Sequence, residues 1–298
     1  MTKTILLTGA TGFLGSHLLA KFLDNCFDVV ILKRSFSNVD RIKKYIPHIK
    51  SYDIDKIELD TVFKENKIDI VVHTATNYGR NSSITELLNA NLMFPILLLE
   101  RAIKYGVSAF INTDTFFAKK STNYDYLSSY STSKRNLQIW LRYFSKDIKV
   151  INMVLEHIYG ENDSDTKFVM QMIKNIAFNF VENISLTSGE QKRDFIYIDD
   201  VSNAYISVIK NISFLSENYN ELEVGLGKTV SIYDFVTAIK EIANSNTTLN
   251  FGAIPYRNNE IMESVANNKI LCLLGWTPKY SYKDGIKTMI DREQEFVQ

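Results

Sequence analysis

The chain has 298 residues, 45% of them hydrophobic, and its 34 lysines and arginines balance its 34 aspartates and glutamates. Zero formal charge without a basic stripe speaks against nucleic acid as the main partner. The longest apolar run, Phe94-Pro95-Ile96-Leu97-Leu98-Leu99, falls far short of the roughly 20 residues that span a bilayer. No membrane partner is therefore expected, and with no signal-peptide apolar region at the N-terminus a cytoplasmic location is expected. Cys26 and Cys272 stand far apart with no C-x-x-C spacing, which suggests no disulfide framework and no metal site.

In chain order, apolar runs predict strands over 4–7, 29–32, 70–73, 110–112 and 149–154. Helical spacing appears between them, near 16–23, 60–65, 87–104 and 131–144. This β-α alternation predicts an α/β fold, a doubly wound parallel sheet of Rossmann type, with ligand bound beyond the carboxyl ends of the strands. Past about residue 155 the segments shorten, and polar stretches such as 216–220 and 244–250 read as loops. The expected division is a nucleotide-binding domain over 1–155, with a return segment near 190–215, and a smaller α/β substrate domain over 156–298.

Between the first predicted strand and helix lies Thr8-Gly9-Ala10-Thr11-Gly12-Phe13-Leu14-Gly15. Strand, glycine turn and helix form a dinucleotide-phosphate cradle. Gly9 permits the turn, Gly12 lets backbone amides approach a pyrophosphate, and Gly15 allows close helix–strand packing. The second strand ends in Lys33-Arg34-Ser35, where NAD-binding proteins carry an acidic residue. Two cations and a hydroxyl suit a 2′-phosphate, which points to NADPH rather than NAD; the alternative is a solvated turn. Tyr130 and Lys134, four apart, share a helix face. An ammonium there favours the phenolate, and acid chemistry near neutrality asks for a lowering of about 4 kcal/mol. A solvated surface pair is the alternative. Thr113-Asp114-Thr115 ends the fourth predicted strand, where a hydroxyl can hydrogen-bond a substrate oxygen or cap a turn.

Together these motifs resemble the extended short-chain dehydrogenase/reductase family, the nucleotide-sugar epimerase/dehydratase group. The resemblance also includes Val72-His73-Thr74-Ala75, a variant of the family's H-x-A-A strand end, and Asn91, where the family has a helix asparagine. It continues through Gly189–Asp200, which looks like G-x-x-x-R-D-F-x-x-V-x-D, and Leu274-Gly275-Trp276-Thr277-Pro278, which looks like L-G-W-x-P. It implies that Tyr130 gives or takes the proton, that Lys134 holds the nicotinamide ribose and acidifies Tyr130, and that Thr113 is the active-site hydroxyl, with Thr115 as its substitute. The implied cofactor site comprises Gly9, Thr11, Gly12, Phe13, Leu14, Gly15, Lys33, Arg34, Asp53, Ile54, Thr74, Ala75, Tyr130 and Lys134. Arg193 and Arg257 fall where the family places arginines on the substrate pyrophosphate, although Arg257-Asn258-Asn259-Glu260 departs from R-P-G-D and surface ion pairing is the alternative.

The family's 4,6-dehydratases carry Asp-Glu after the active-site Thr; here Thr115 replaces the Glu. A ketoreductase needs neither that acid nor a His or Cys beside the carbonyl. Three stretches, Asn112–Lys120, Leu155–Gly160 and Asn259–Lys269, resemble the CDP-abequose synthase subgroup. That resemblance implies NADPH-dependent reduction of the C4 ketone of a nucleoside-diphosphate 4-keto-6-deoxyhexose, as in CDP-abequose or dTDP-fucose formation for surface polysaccharide. A 4-epimerase holding NAD and an idle NADP-binding regulator are the alternatives. Tyr78 and His157 can line the sugar pocket, His157 equally as a core residue, and His73 shapes the cofactor cleft. The helices around 87–104 and 131–144 look amphipathic, and in this family such helices pair in a homodimer.

Overall fold

A computed structural model describes residues 2–119 and 126–297 of the chain; Lys120, quoted above, lies outside the described residues. The strands are β1 (Thr4–Thr8), β2 (Asp28–Lys33), β3 (Lys50–Asp53), β4 (Ile70–His73), β5 (Ala109–Thr115), β6 (Lys149–Leu155), β7 (His157–Tyr159), β8 (Asn183–Ser185), β9 (Lys192–Arg193), β10 (Phe195–Tyr197), β11 (Tyr219–Val224), β12 (Val230–Ser231), β13 (Thr248–Asn250) and β14 (Glu263–Ser264). The helices are α1 (Phe13–Asp24), α2 (Leu59–Glu65), α3 (Ile84–Leu88), α4 (Phe94–Lys104), α5 (Ser128–Phe144), α6 (Phe168–Ile173), α7 (Ile198–Asn211), α8 (Ile232–Ile242), α9 (Lys269–Leu273) and α10 (Tyr282–Val297). Among the described residues one compact unit comprises 2–119, Tyr126–Val154 and Tyr205–Leu222; a second comprises Leu155–Ala204 and 223–297.

The first unit is built on a seven-stranded sheet in the order β11-β6-β5-β4-β1-β2-β3. Its central registers are parallel: Thr8 lies between Leu32 and His73, and His73 opposite Asn112. Parallel strands covered on both faces become continuous apolar runs, and Ile70–His73 is buried at every position. Leu6, Val30, Val71 and Phe110 point into one cluster, which α2, α4 and α5 complete with Phe63, Leu99 and Leu137. The alternate residues Ile5, Leu7 and Ile31 are buried on the opposite face. Each such side chain contributes about 1.5–3 kcal/mol of burial.

Three elements depart from the sequence expectation. β3 is polar, Lys-Ser-Tyr-Asp, and pairs with β2 as the sheet edge, so it carries no apolar run to reveal it. β11 begins inside the stretch read as a loop, because Val150 N–H donates to the Asn218 carbonyl at 2.7 Å. β13 likewise forms from a loop-like stretch by parallel pairing with β8. In both cases long-range pairing overrides weak local propensity.

The predicted helix over 87–104 is interrupted by a π-turn at Asn89–Met93. Pro95 explains it. Proline has no N–H for the carbonyl four residues back, that of Asn91, and its ring crowds that carbonyl.

The second unit gathers its short strands around aromatic packing. Phe195 stacks on Phe235 at 3.8 Å between centroids, and Tyr159 stands edge-on to both. The Asp200 carboxylate accepts from the amides of Lys279 and Tyr280, while Trp276 Nε1 donates to the Asp200 carbonyl at 3.0 Å. These bonds tie the L-G-W-x-P segment to α7.

Candidate active site

The glycine turn is closed by contact with the end of β4. Gly9 has φ +72°, and a Cβ there would stand 2.6 Å from both the Ala75 amide and Thr74 Oγ1. A Cβ on Gly15 would meet the Gly9 carbonyl at 2.0 Å, so α1 lies directly on the turn. Thr74 Oγ1 donates to the Thr8 carbonyl at 2.7 Å, and Thr8 Oγ1 bonds His73 Nδ1 at 2.8 Å. α1 starts at Gly12 with no side-chain cap and no acidic residue in its first turn. Its first amides are thus oriented for an anion, which fits a dinucleotide pyrophosphate. His73 is pushed down to about 3, first by burial and then by the Lys134 charge, so its ring is neutral and structural.

The loop after β2 is less open to a phosphate than its sequence suggests. Lys33 is ion-paired with Asp53, and Lys56 lies 3.7 Å from the same carboxylate. Ser35 gives both its amide and its hydroxyl to Asp55, at 2.7 and 2.6 Å, and these bonds hold the Asp55 carboxyl below its ordinary value. The exposed Arg34 lies over the Phe36 ring, 4.7 Å from its centroid. Ile54 follows β3, and its amide donates to the Lys33 carbonyl at 2.9 Å.

α5 brings Tyr130 and Lys134 to one buried face, at 4% and 3% exposure. Their chemistry differs from the expected pairing. The Lys134 ammonium donates to the Thr113 carbonyl at 2.8 Å. The Tyr130 phenol lies well above its ordinary value, raised first by burial and then by Tyr78 and Asp114, while hydrogen bonds with Thr115 and Thr76 pull it down. Burial outweighs the groups that favour the phenolate, and Tyr130 is held as a protonated phenol. Lys134 is itself pushed down by burial and drawn back up by Asp114.

The structure also divides the two threonines. Thr113 Oγ1 bonds the Tyr205 hydroxyl at 2.7 Å, whereas Thr115 hydrogen-bonds Tyr130. The expected substitute thus stands beside the phenol. Asp114, 3% exposed, accepts from the Thr115 amide at 2.8 Å, Gln138 Nε2 at 2.8 Å and Asn152 Nδ2 at 2.9 Å. Burial raises its carboxyl, and Lys134 with those three donors opposes the rise. The Tyr78 ring packs on Tyr130 with centroids 5.0 Å apart.

Thr76 and the full role of Asn91 escaped the motif reading. Asn91 Oδ1 accepts from the Asn77 amide at 2.7 Å and from Thr76 Oγ1 at 3.3 Å. Its Nδ2 donates to the Asn77 carbonyl at 2.7 Å and to Ser133 Oγ at 3.0 Å. The sequence signal was present: Thr76 stands where the H-x-A-A pattern has its second alanine, and Pro95 marks the π-turn that carries Asn91.

His157, Arg193 and Arg257 belong to the second unit. Arg193, 6% exposed, pairs with Glu260 at 2.6 Å and donates to the Lys192 carbonyl at 2.9 Å. Arg257 is exposed, and its carbonyl accepts from the Glu260 amide at 3.2 Å in a turn with Asn259 at φ +54°. His157 Nδ1 is 3.7 Å from Glu156, and its ring stands edge-on to Phe195.

Comparison with known proteins agrees with this architecture. The sequence profile of the NAD dependent epimerase/dehydratase family matches residues 5–221. The chain is similar to a protein named CDP-abequose synthase from Salmonella muenchen, 37% identical over 99% of both chains. It is similar to the Salmonella typhimurium protein of that name, at 38% identity over 98% of this chain and 99% of that one. A Thermotoga maritima UDP-glucose 4-epimerase crystallised with UDP-glucose shares the fold, with TM-score 0.85 and 22% identity over 99% of this chain and 100% of that one. Among the described residues no helix is long and apolar enough to cross a membrane.

Proposed function

Because the chain belongs to the NAD dependent epimerase/dehydratase family, within the extended short-chain dehydrogenases/reductases, we propose that it is an NADPH-dependent nucleotide-sugar 4-ketoreductase. Its substrate is a nucleoside-diphosphate 4-keto-6-deoxyhexose, the product of a preceding dehydration. The observation that carries this reading is the Tyr130 pocket: a buried phenol that burial keeps protonated, with Thr115 and Thr76 acting against that rise. The neighbouring carboxylate, Asp114, is held by three donors and buried. Expelling water from a sugar needs an acid facing the substrate, whereas reducing a ketone needs one proton donor and an oxygen-binding hydroxyl.

The glycine turn, Thr74 and Ala75 would hold a nicotinamide cofactor, which when bound would supply hydride for the C4 carbon. Tyr130 gives its proton to the carbonyl oxygen as negative charge develops there. Thr115 is the hydroxyl that shares that oxygen, taking the role expected of Thr113. Lys134, anchored on the Thr113 carbonyl, puts positive charge beside the site and offers its remaining hydrogens to the nicotinamide ribose. Arg193 and Arg257 are the cations for the substrate diphosphate, with Glu260 holding the Arg193 guanidinium in one orientation. Arg34 carries the preference for the cofactor 2′-phosphate.

The apolar side chains of Met93, Leu97, Ile139, Trp140 and Tyr143 are exposed on the π-turn, α4 and α5, and this face pairs two copies in a homodimer. Light scattering that finds only monomer removes that element.

The reading is tested by offering CDP- and dTDP-linked 4-keto-6-deoxy and 3,6-dideoxy sugars with NADPH and following loss of the reduced nicotinamide. Inertness toward all of them overturns it. One observation favours a second reading, a 4-epimerase retaining NAD: in the Lys33-Arg34-Ser35 run Lys33 is already paired with Asp53, which weakens the run as a 2′-phosphate ligand. Chemical identification of nucleotide released from the purified protein separates the two.

A further inference from the structure

The Tyr78 ring lies on the Tyr130 ring with centroids 5.0 Å and planes 36° apart. Tyr130 is 4% exposed, whereas Tyr78 keeps 37% of its surface open. Part of the Tyr78 ring thus covers the proposed acid, and the rest is open beside it. A single exposed aromatic is ordinary on a protein surface. What sets Tyr78 apart is how firmly the chain on either side of it is held.

Before it, Asn91 grips the backbone of Asn77 twice, accepting from the amide and donating to the carbonyl, both at 2.7 Å. Asn77 Oδ1 reaches past Tyr78 to accept from the Gly79 amide at 2.8 Å and from Ser82 Oγ at 3.2 Å. After it, Gly79 has φ +73°, and a Cβ there would stand 2.7 Å from Leu87 Cδ1 and 3.2 Å from Ser129 Oγ. The turn is therefore pressed onto both α3 and α5. Arg80 then donates to the Tyr126 hydroxyl at 2.8 Å. A tyrosine turns about only two side-chain torsions, and on a clamped backbone it has little freedom left to lose when a ligand arrives.

We propose that Tyr78 is a specificity-determining residue: its ring receives the C6 methyl group of the sugar and refuses a hydroxyl there. The inference rests on the ketoreductase reading, which puts the C4 carbonyl oxygen at the Tyr130 hydroxyl. C6 is two bonds from C4, through C5, and so falls within reach of a ring that covers Tyr130. The methyl is the one apolar substituent that every 6-deoxyhexose carries, and an aromatic face gains by covering it. A C6 hydroxyl pressed against the same face gives up water for no hydrogen bond. The ring thereby separates the product of a dehydration from hexoses that still hold their C6 oxygen.

The test uses the full chain with NADPH and two substrates on the same nucleoside diphosphate, a 4-keto-6-deoxyhexose and its C6-hydroxylated counterpart. The wild type is expected to favour the deoxy sugar by about 10- to 100-fold in kcat/KM. Tyr78→Ala is expected to bring that ratio to within about threefold, while Tyr78→Phe keeps it, because the ring and not the phenol oxygen does the sorting. Loosening the cover of Tyr130 would slow both substrates alike and leave the ratio where it was, so the ratio reads specificity apart from structure. A ratio unchanged in Tyr78→Ala, or lost in Tyr78→Phe, overturns the proposal, as does a wild type that takes both sugars equally. Calorimetry with oxidised cofactor and the stable 6-deoxyhexose and hexose nucleotides gives the same comparison without turnover. If the wild type reduces no 4-keto sugar but binds the deoxy nucleotide more tightly, and Tyr78→Ala alone abolishes that preference, the role of Tyr78 stands and the ketoreductase reading falls.

Discussion

Tyr130 in the first unit and Asp194 in the second are both buried acids, and both are pushed upward by burial before any other cause. Their partners differ. Tyr130 is met by hydroxyls of Thr76 and Thr115, whose hydrogens rotate. Asp194 is met by three backbone amides that cannot: Leu226 at 2.7 Å, Gly227 at 2.9 Å and Ala266 at 3.1 Å. A site that exchanges a proton needs partners able to donate in one state and accept in the other. A group that pins loops needs partners with one fixed direction. Asp194 joins the segment after β11 to the segment after β14, and a Cβ on Gly225 would stand 2.5 Å from its carboxylate.

The comparison is broken most severely at Tyr130. Tyr130→Phe removes the transferred proton, and turnover is expected to fall about 10²- to 10⁴-fold while cofactor affinity, read by fluorescence titration, is largely kept. Near-normal turnover would show that the phenol is not the acid.

Asp194→Ala is the corresponding break in the second unit. It strands three amides, that of Ala266 buried, and urea unfolding should show a loss of about 2 kcal/mol with little change in turnover chemistry at Tyr130. Its pH dependence sharpens the contrast. Asp194 lies near 6 in the folded protein and near 3.9 unfolded, so the folded state holds its proton more tightly. Its contribution is complete below about pH 4 and is lost as pH rises through about 6, by about 3 kcal/mol at most. Unfolding midpoints of the wild type should therefore decline between those limits relative to Asp194→Asn, which has no such titration; parallel curves for the two proteins would contradict this.

A smaller effect separates the two threonines. Thr115→Val should lower kcat by about tenfold, whereas Thr113→Val, which loses only its bond to Tyr205, should cost less. The reverse order would return the hydroxyl role to Thr113. Smallest of all is the cofactor loop. Asp53→Asn frees Lys33 and should raise the NADPH-over-NADH preference in kcat/KM by a few-fold, about 1 kcal/mol or less for an exposed pair. No change would mean that Lys33 is remote from the 2′-phosphate.

Much of this was legible beforehand for identifiable reasons. The apolar runs of β1, β4 and β5, the three spaced glycines, and Tyr130 four residues before Lys134 are local patterns, and local patterns survive translation into structure. The β3 edge strand and the starts of β11 and β13 were not legible, because polar residues pair there only when a distant strand offers its backbone. Lys33 read as an open phosphate ligand because nothing in its own segment announces Asp53, twenty residues later, as its counter-ion.

By itself the order of residues determined the α/β architecture, the cradle at Gly9–Gly15, and the pairing of Tyr130 with Lys134, since each follows from spacing along one element. Only the tertiary structure decided that Thr113 turns to Tyr205, that Lys134 turns to the Thr113 carbonyl, and that Asn91 holds Thr76 and Asn77. Those outcomes depend on directions of hydrogen bonds and on burial, which arise when β4, β5, α5 and the Pro95-induced π-turn meet, and no single segment encodes them.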